Sequence, residues 1–145
     1  MTLDDIIRTL DLKPHPEGGY YAETHRIPDP HGHGHRSPGT AIYYLLGKGD
    51  RSHWHRVDAT EIWHFYSGAP LELSVAVTDK SKPKTRILGA DLAAGQHPRL
   101  VVPPHHWQAA RSLGDWTLAG CTVSPGFEFS GFEMAAKGWS PGPVS

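Results

Sequence analysis

The stretch GDRSHWHRVDATEIWHFYSG, residues 49–68, decides how this chain is read. It holds two runs, HWHRV and TEIWHFY, rich in aromatic and β-branched residues and parted by a segment short enough for a tight turn. In an extended strand, residues i and i+2 project from one face. His53 and His55 are therefore expected to point together, with Glu61 arriving from the next strand. Two imidazoles and a carboxylate with open positions suit zinc, iron, manganese or nickel. The same groups can act as general acid and base without a metal. A His-x-His pair also arises by chance in a chain with 11 histidines. His64, three residues beyond Glu61, takes the opposite face and reads as a surface or dimer-face residue. Trp63, Phe65 and Trp107 read as core or pocket wall, as aromatic residues usually do.

Outward from this stretch the chain keeps a strand-and-turn rhythm. YYAETHRI, TAIYYLL, LELSVAV, TRILGA, RLVVP, WQAARS, WTLAGCTV and FEFSGFEMA bring the total to nine or ten strands, spaced as in a sandwich or small barrel. TAIYYLL is apolar throughout, the pattern of a strand buried on both faces. Ahead of them, TLDDIIRTLDL places Leu3, Ile6, Ile7 and Leu10 at helical spacing, with Thr2 as N-cap and Asp4 and Asp5 in the first turn. KPHPEGG stops the helix. PDPHGHGHRSPG is a loop by composition, and its His31, His33 and His35 read as solvated.

The 145 residues fit one domain spanning 1–145, with a tail from about 137 to 145 expected to be loosely held. With 14 basic and 15 acidic residues and no basic face, a nucleic-acid surface has little support. No apolar run approaches the length of a membrane span. The start MTLDDIIRTL has no signal pattern, and the single cysteine, Cys121, agrees with a reducing compartment. The expectation is a cytoplasmic protein. Abundant turn formers, Gly 16 and Pro 13, beside many aromatic residues point to an all-β domain.

Gly47, five residues, His53-x-His55, five residues, Glu61, six residues and Gly68 together resemble the first cupin motif, with one residue more than usual before the glutamate. GQHPRLVVPPHHWQAAR resembles the second motif imperfectly: His105 stands at its glycine and Gln108 at its histidine. LKPHPEGGYYAETHR, TAIYYLL, HRVDATEIWHFYSGAPLEL and GCTVSPGFEFSGFEM extend the similarity, in order, to a small single-domain branch, cupin family five. The resemblance implies a double-stranded β-helix (jelly roll) and a homodimer with its N-terminal strands exchanged or packed across partners. It also implies a possible metal set of His53, His55, Glu61 and Gln108, in which a glutamine is a weak, uncharged ligand. A polar cluster binding a small molecule fits the same residues.

Other residues are expected at the pocket. Glu17 reads as a pocket acid or a turn carboxylate. Gly18 and Gly19 permit a close backbone approach. Tyr21 and Glu23 share a strand face and are candidates for substrate binding, with Trp63, Phe65 and Trp107 as walls. One of Tyr43 and Tyr44 faces the interior; Tyr43 is taken as a candidate proton donor. Phe127 and Phe129 are expected to fill core or interface. The leading functional expectation is an isomerase, epimerase or lyase acting on a small carbohydrate-like molecule, with His55 and Glu61 as acid and base or as ligands of a metal. A non-enzymatic binding protein and a metal-dependent oxygenase are the alternatives.

Overall fold

The computed structural model describes residues 1–32 and 34–143. Thr2 opens the helix α1 (Leu3–Leu10) through a capping box: Asp5 N–H donates to Thr2 Oγ1 and Thr2 N–H to Asp5 Oδ2. The helix stops at Asp11, whose φ of 53° is left-handed. Its apolar stripe of Leu3, Ile6, Ile7 and Leu10 packs with Leu12, Leu45, Tyr43 and Trp116 on the outside of a β-sheet.

Eleven strands follow: β1 (Lys13–Pro14), β2 (Tyr20–Arg26), β3 (Thr40–Gly47), β4 (Arg51–Val57), β5 (Thr60–Gly68), β6 (Leu71–Ala76), β7 (Lys84–Leu88), β8 (Arg99–Val102), β9 (Trp107–Ser112), β10 (Trp116–Ser124) and β11 (Phe132–Met134). One sheet has the order β1-β2-β3-β10-β5-β8 and the other β11-β4-β9-β6-β7. This is the all-β jelly-roll sandwich with a short N-terminal helix that the sequence leads one to expect. Tyr44, Leu46, Trp63, Leu71, Leu73, Leu88 and Cys121 form the core between the sheets. Each fully buried leucine contributes about 1.5–3 kcal/mol. β3 is buried on both faces because α1 covers the outside of a strand whose inside faces the core.

Three local departures matter. KPHPEGG contains the two-residue strand β1 and does more than end the helix. Only the end of FEFSGFEMA is a strand; Phe129–Gly131 is a 3-10 turn leading into β11. Past β11, Trp139 packs on Trp107 with ring centroids 4.7 Å apart, and Gly142 N–H donates to the Asp79 carbonyl. These contacts lie in the segment expected to be loosely held. His31 and His35 are exposed in the loop before β3; His33 lies outside the described residues, as do 144 and 145.

Candidate functional site

At one end of the sandwich the sheets part around a cavity of ≈ 650 Å³. Its floor carries His55 from β4, Glu61 from β5, and His15 and Glu17 from the turn between β1 and β2. Tyr21, Phe127 and Phe132 supply aromatic walls.

The turn is held inward by its backbone. His53 N–H donates to the Glu17 carbonyl at 2.8 Å, and the Tyr44 hydroxyl donates to the Gly18 carbonyl. Gly18 has φ 112°, and a Cβ there would sit 2.0 Å from the Arg51 carbonyl oxygen, so a side chain would push the turn off β4. So docked, Glu17 is 7% exposed, with Oε2 2.7 Å from His55 Nε2. The ring N–H is not aligned on that oxygen: the contact is a close ion pair, and among the described residues no hydrogen-bond donor is aligned on Oε2. On the other side of its ring, His55 Nδ1 lies 2.8 Å from the His53 carbonyl, which accepts its proton.

Charge follows from these contacts. Burial alone would lower the His55 pKa, but the Glu17 carboxylate beside it, with Glu61 nearby, raises it to about 9. His55 is thus an imidazolium at neutral pH. Burial, the largest influence, favours the protonated form of Glu17, yet the combined pull of His55, His15 and Ser52 outweighs it, and the Glu17 pKa lies below its ordinary value. Glu61 is pushed up to about 7, chiefly by burial. His15 is lowered by burial; its Nδ1 accepts from Glu17 N–H at 3.1 Å, which leaves the proton of the neutral ring on Nε2. The 3.7 Å approach of His15 Nδ1 to Glu17 Oε1 is therefore no ion pair.

Glu61 is held from across the sandwich. Gln108 on β9 donates from Nε2 to Glu61 Oε1 at 2.7 Å, and Trp63 Nε1–H donates to Gln108 Oε1 at 2.8 Å. Trp63 can only donate, so it fixes which end of the amide faces Glu61. The Cys121 thiol is a further hydrogen-bonding neighbour of the Glu61 carboxyl.

The sequence-derived candidates divide accordingly. Glu17, Tyr21, Glu23, His55 and Glu61 meet at the cavity. His53 does not join them: the β4–β9 register shifts between Ser52 and His55, and His53 Nε2 turns to the Ala136 carbonyl at 3.0 Å. Gln108 lies behind Glu61, fully buried. Trp63 and Phe65 belong to the core between the sheets. Trp107 is buried under Trp139, with the Arg56 guanidinium 4.4 Å from its ring centroid. Tyr43 lies on the helix-covered outer face; Tyr44 takes the inward place. His64 pairs with Thr122 Oγ1 at 3.1 Å on that outer face. His15, Arg26 and Phe132 line the cavity without having been singled out from the sequence. The signal for His15 was its place between Pro14 and Pro16, one turn ahead of the paired glycines.

A divalent metal does not fit this donor set as arranged. His55 Nδ1 is bonded to the His53 carbonyl, its Nε2 faces the Glu17 carboxylate as a protonated partner, His53 points away, and both ends of the Gln108 amide are bonded. Among the described residues no three of His, Cys, Asp and Glu are gathered to hold a metal ion.

Comparison with known proteins places this geometry in a family. The family described as Cupin_5, Cupin superfamily (DUF985), matches residues 4–135. Protein SO0799 from Shewanella oneidensis is 36% identical with a TM-score of 0.87, over 94% of this chain and 85% of that one. A hypothetical protein from Leishmania major is 29% identical with a TM-score of 0.81, over 94% and 88% of the two chains. Oxalate decarboxylase from Bacillus subtilis, at 12% identity and a TM-score of 0.64, shares the fold alone; 83% of this chain aligns with 29% of that one. No curated protein matches the chain. The match along almost the whole length and the shared sandwich make the chain a member of the Cupin_5 family of the cupin superfamily.

Proposed function

We propose that the protein is an acid–base enzyme of isomerase, epimerase or lyase type, acting on a small polar organic molecule. One observation carries this reading. Three buried ionisable groups, Glu17, His55 and Glu61, share the floor of one ligand-sized cavity, and their environments drive them to different protonation states. Divergent pKa values among neighbouring groups are how a single site provides an acid and a base together.

The roles follow from the contacts. Glu61, which titrates at about 7, is the group able to accept a proton near neutrality. Gln108 and Trp63 fix its carboxyl in place. His55 is the proton-bearing partner; its Nε2–H, close to Glu17 but not aligned on it, can turn to an oxygen on which negative charge develops. Glu17 holds His55 in the charged form. His15, kept neutral with its proton on Nε2, is a further donor at the cavity. The aromatic walls make the surroundings of these groups less polar, which strengthens their interactions.

The test is hydrogen exchange. The protein is incubated in heavy water with pools of sugars, keto acids and hydroxy acids, and proton NMR follows loss of C–H signals. One compound class should exchange or convert, and Glu61→Gln, folded by circular dichroism, should stop it. A ligand that binds in the cavity and stays unchanged would replace this reading with a non-enzymatic binding protein.

A further inference from the structure

Resting on that assignment of the cavity, we infer that its ligand is a donor-rich, non-anionic molecule, an unphosphorylated aldose, ketose or amino sugar, and that phosphorylated or nucleotide-linked compounds are excluded. The two basic groups deepest in the cavity, Arg26 and His55, already face carboxylates of the protein. Arg26 gives Nε and Nη2 to the two oxygens of Glu23 at 2.8 and 2.9 Å, and Nη2 also donates to the Phe127 carbonyl at 3.0 Å. The Nε–Nη2 edge of its planar fork, a natural receptor for a phosphate, is taken by the protein's own carboxylate. His55 is closed on one side by the His53 carbonyl and faces Glu17 on the other. Lys13 stands at the rim, 74% exposed and 3.9 Å from Asp11.

Beside the single N–H that neutral His15 can give from Nε2, what the cavity offers in excess is carboxylate acceptors. Glu17 Oε2 is buried 2.7 Å from His55 Nε2, and its second lone pair has room for a further donor. A ligand hydroxyl or ammonium can fill that place and a phosphate oxygen cannot. The charge balance agrees. The lining holds five carboxyl side chains, Asp11, Glu17, Glu23, Glu61 and Glu128, against Lys13, Arg26 and His55. A dianion entering there meets like charge in a partly desolvated space. Phe127, Phe129 and Phe132, packed edge to face at 5.0–6.2 Å, offer ring faces to the C–H side of a sugar or to an alkylammonium.

The experiment compares two fragment sets on the ¹⁵N-labelled full chain by NMR, reading the ring resonances of His15 and His55. One set holds polyols, aldoses, amino sugars and alkylamines; the other holds sugar phosphates, nucleoside monophosphates and dicarboxylates. Fragments of the first set should shift these resonances and bind at least about tenfold more tightly than their phosphorylated counterparts. Tighter binding of the phosphorylated set in the cavity would overturn the inference and leave the cavity as the site. If neither set moves the cavity resonances, both this inference and the functional assignment fall.

Discussion

At the scale of single residues, the orientation of Glu61 is set by a side chain that never reaches the cavity. Trp63 donates to Gln108, and Gln108 in turn donates to Glu61. Trp63→Phe keeps an aromatic ring but removes the indole N–H and part of the buried volume, orphaning Gln108 Oε1 and freeing the amide to flip. The expected cost is about 1–3 kcal/mol of stability by chemical denaturation, with the Glu61 titration displaced upward as its donor is lost. An unchanged Glu61 titration, followed by carboxyl ¹³C NMR in a folded Trp63→Phe protein, would show that the chain of donors does not act on the acid. Position 108 was legible in the sequence as a place in a cupin-like motif. What the glutamine does there was not, because its partners, Trp63 and Glu61, lie on the opposite sheet.

Among the elements, the turn between β1 and β2 is what completes the floor. It delivers His15 and Glu17, and it sits against β4 because position 18 has neither a Cβ nor a negative φ. Gly18→Ala would set a Cβ against the Arg51 carbonyl in a conformation costly for any L side chain. The expected loss is at least about 2 kcal/mol of stability. The His55 titration should also fall toward its ordinary value as Glu17 withdraws. Unchanged melting and an unchanged His55 titration would mean that the turn is not what charges the histidine. Strand parity explains both what could be read and what could not. The alternation rule put Glu61 on the inner face, where it is. The rule joined His53 to His55, and a register shift in β4 that no spacing announces separates them. It could not choose between Tyr43 and Tyr44, since a strand covered by α1 on one side and the core on the other is apolar throughout. At the second motif, His105 replaces the expected glycine yet keeps a left-handed φ of 66°, so the turn survives a change that made the motif look broken.

For the whole molecule, the buried charges tie stability to pH. Two groups hold their protons more tightly when folded: His55 at about 9 against 6.5, and Glu61 at about 7 against 4.5. The His55 contribution is complete below its unfolded value and is lost as pH rises through about 9. Ionising the buried Glu61 weakens the fold progressively between 4.5 and about 7. Glu17, lowered, acts oppositely: its contribution is present above 4.5 and is lost as pH falls through its native value. His15, lowered by burial, opposes Glu61 below 6.5, so Tm is expected to decline chiefly on the alkaline side, as His55 loses its proton. Glu61→Gln should remove the weakening up to neutrality and leave the alkaline decline intact. A Tm that rises from neutral to alkaline pH would contradict the assignment of charge.

That assignment rests on His55, whose ring nitrogens can be observed individually by ¹⁵N NMR. Both are predicted to carry protons at neutral pH, with a midpoint of about 9 and no response to added zinc. A neutral His55 ring at neutral pH, with a midpoint at or below the ordinary 6.5 and a bare nitrogen that shifts when zinc is added, would contradict the acid–base account and make the floor a metal site.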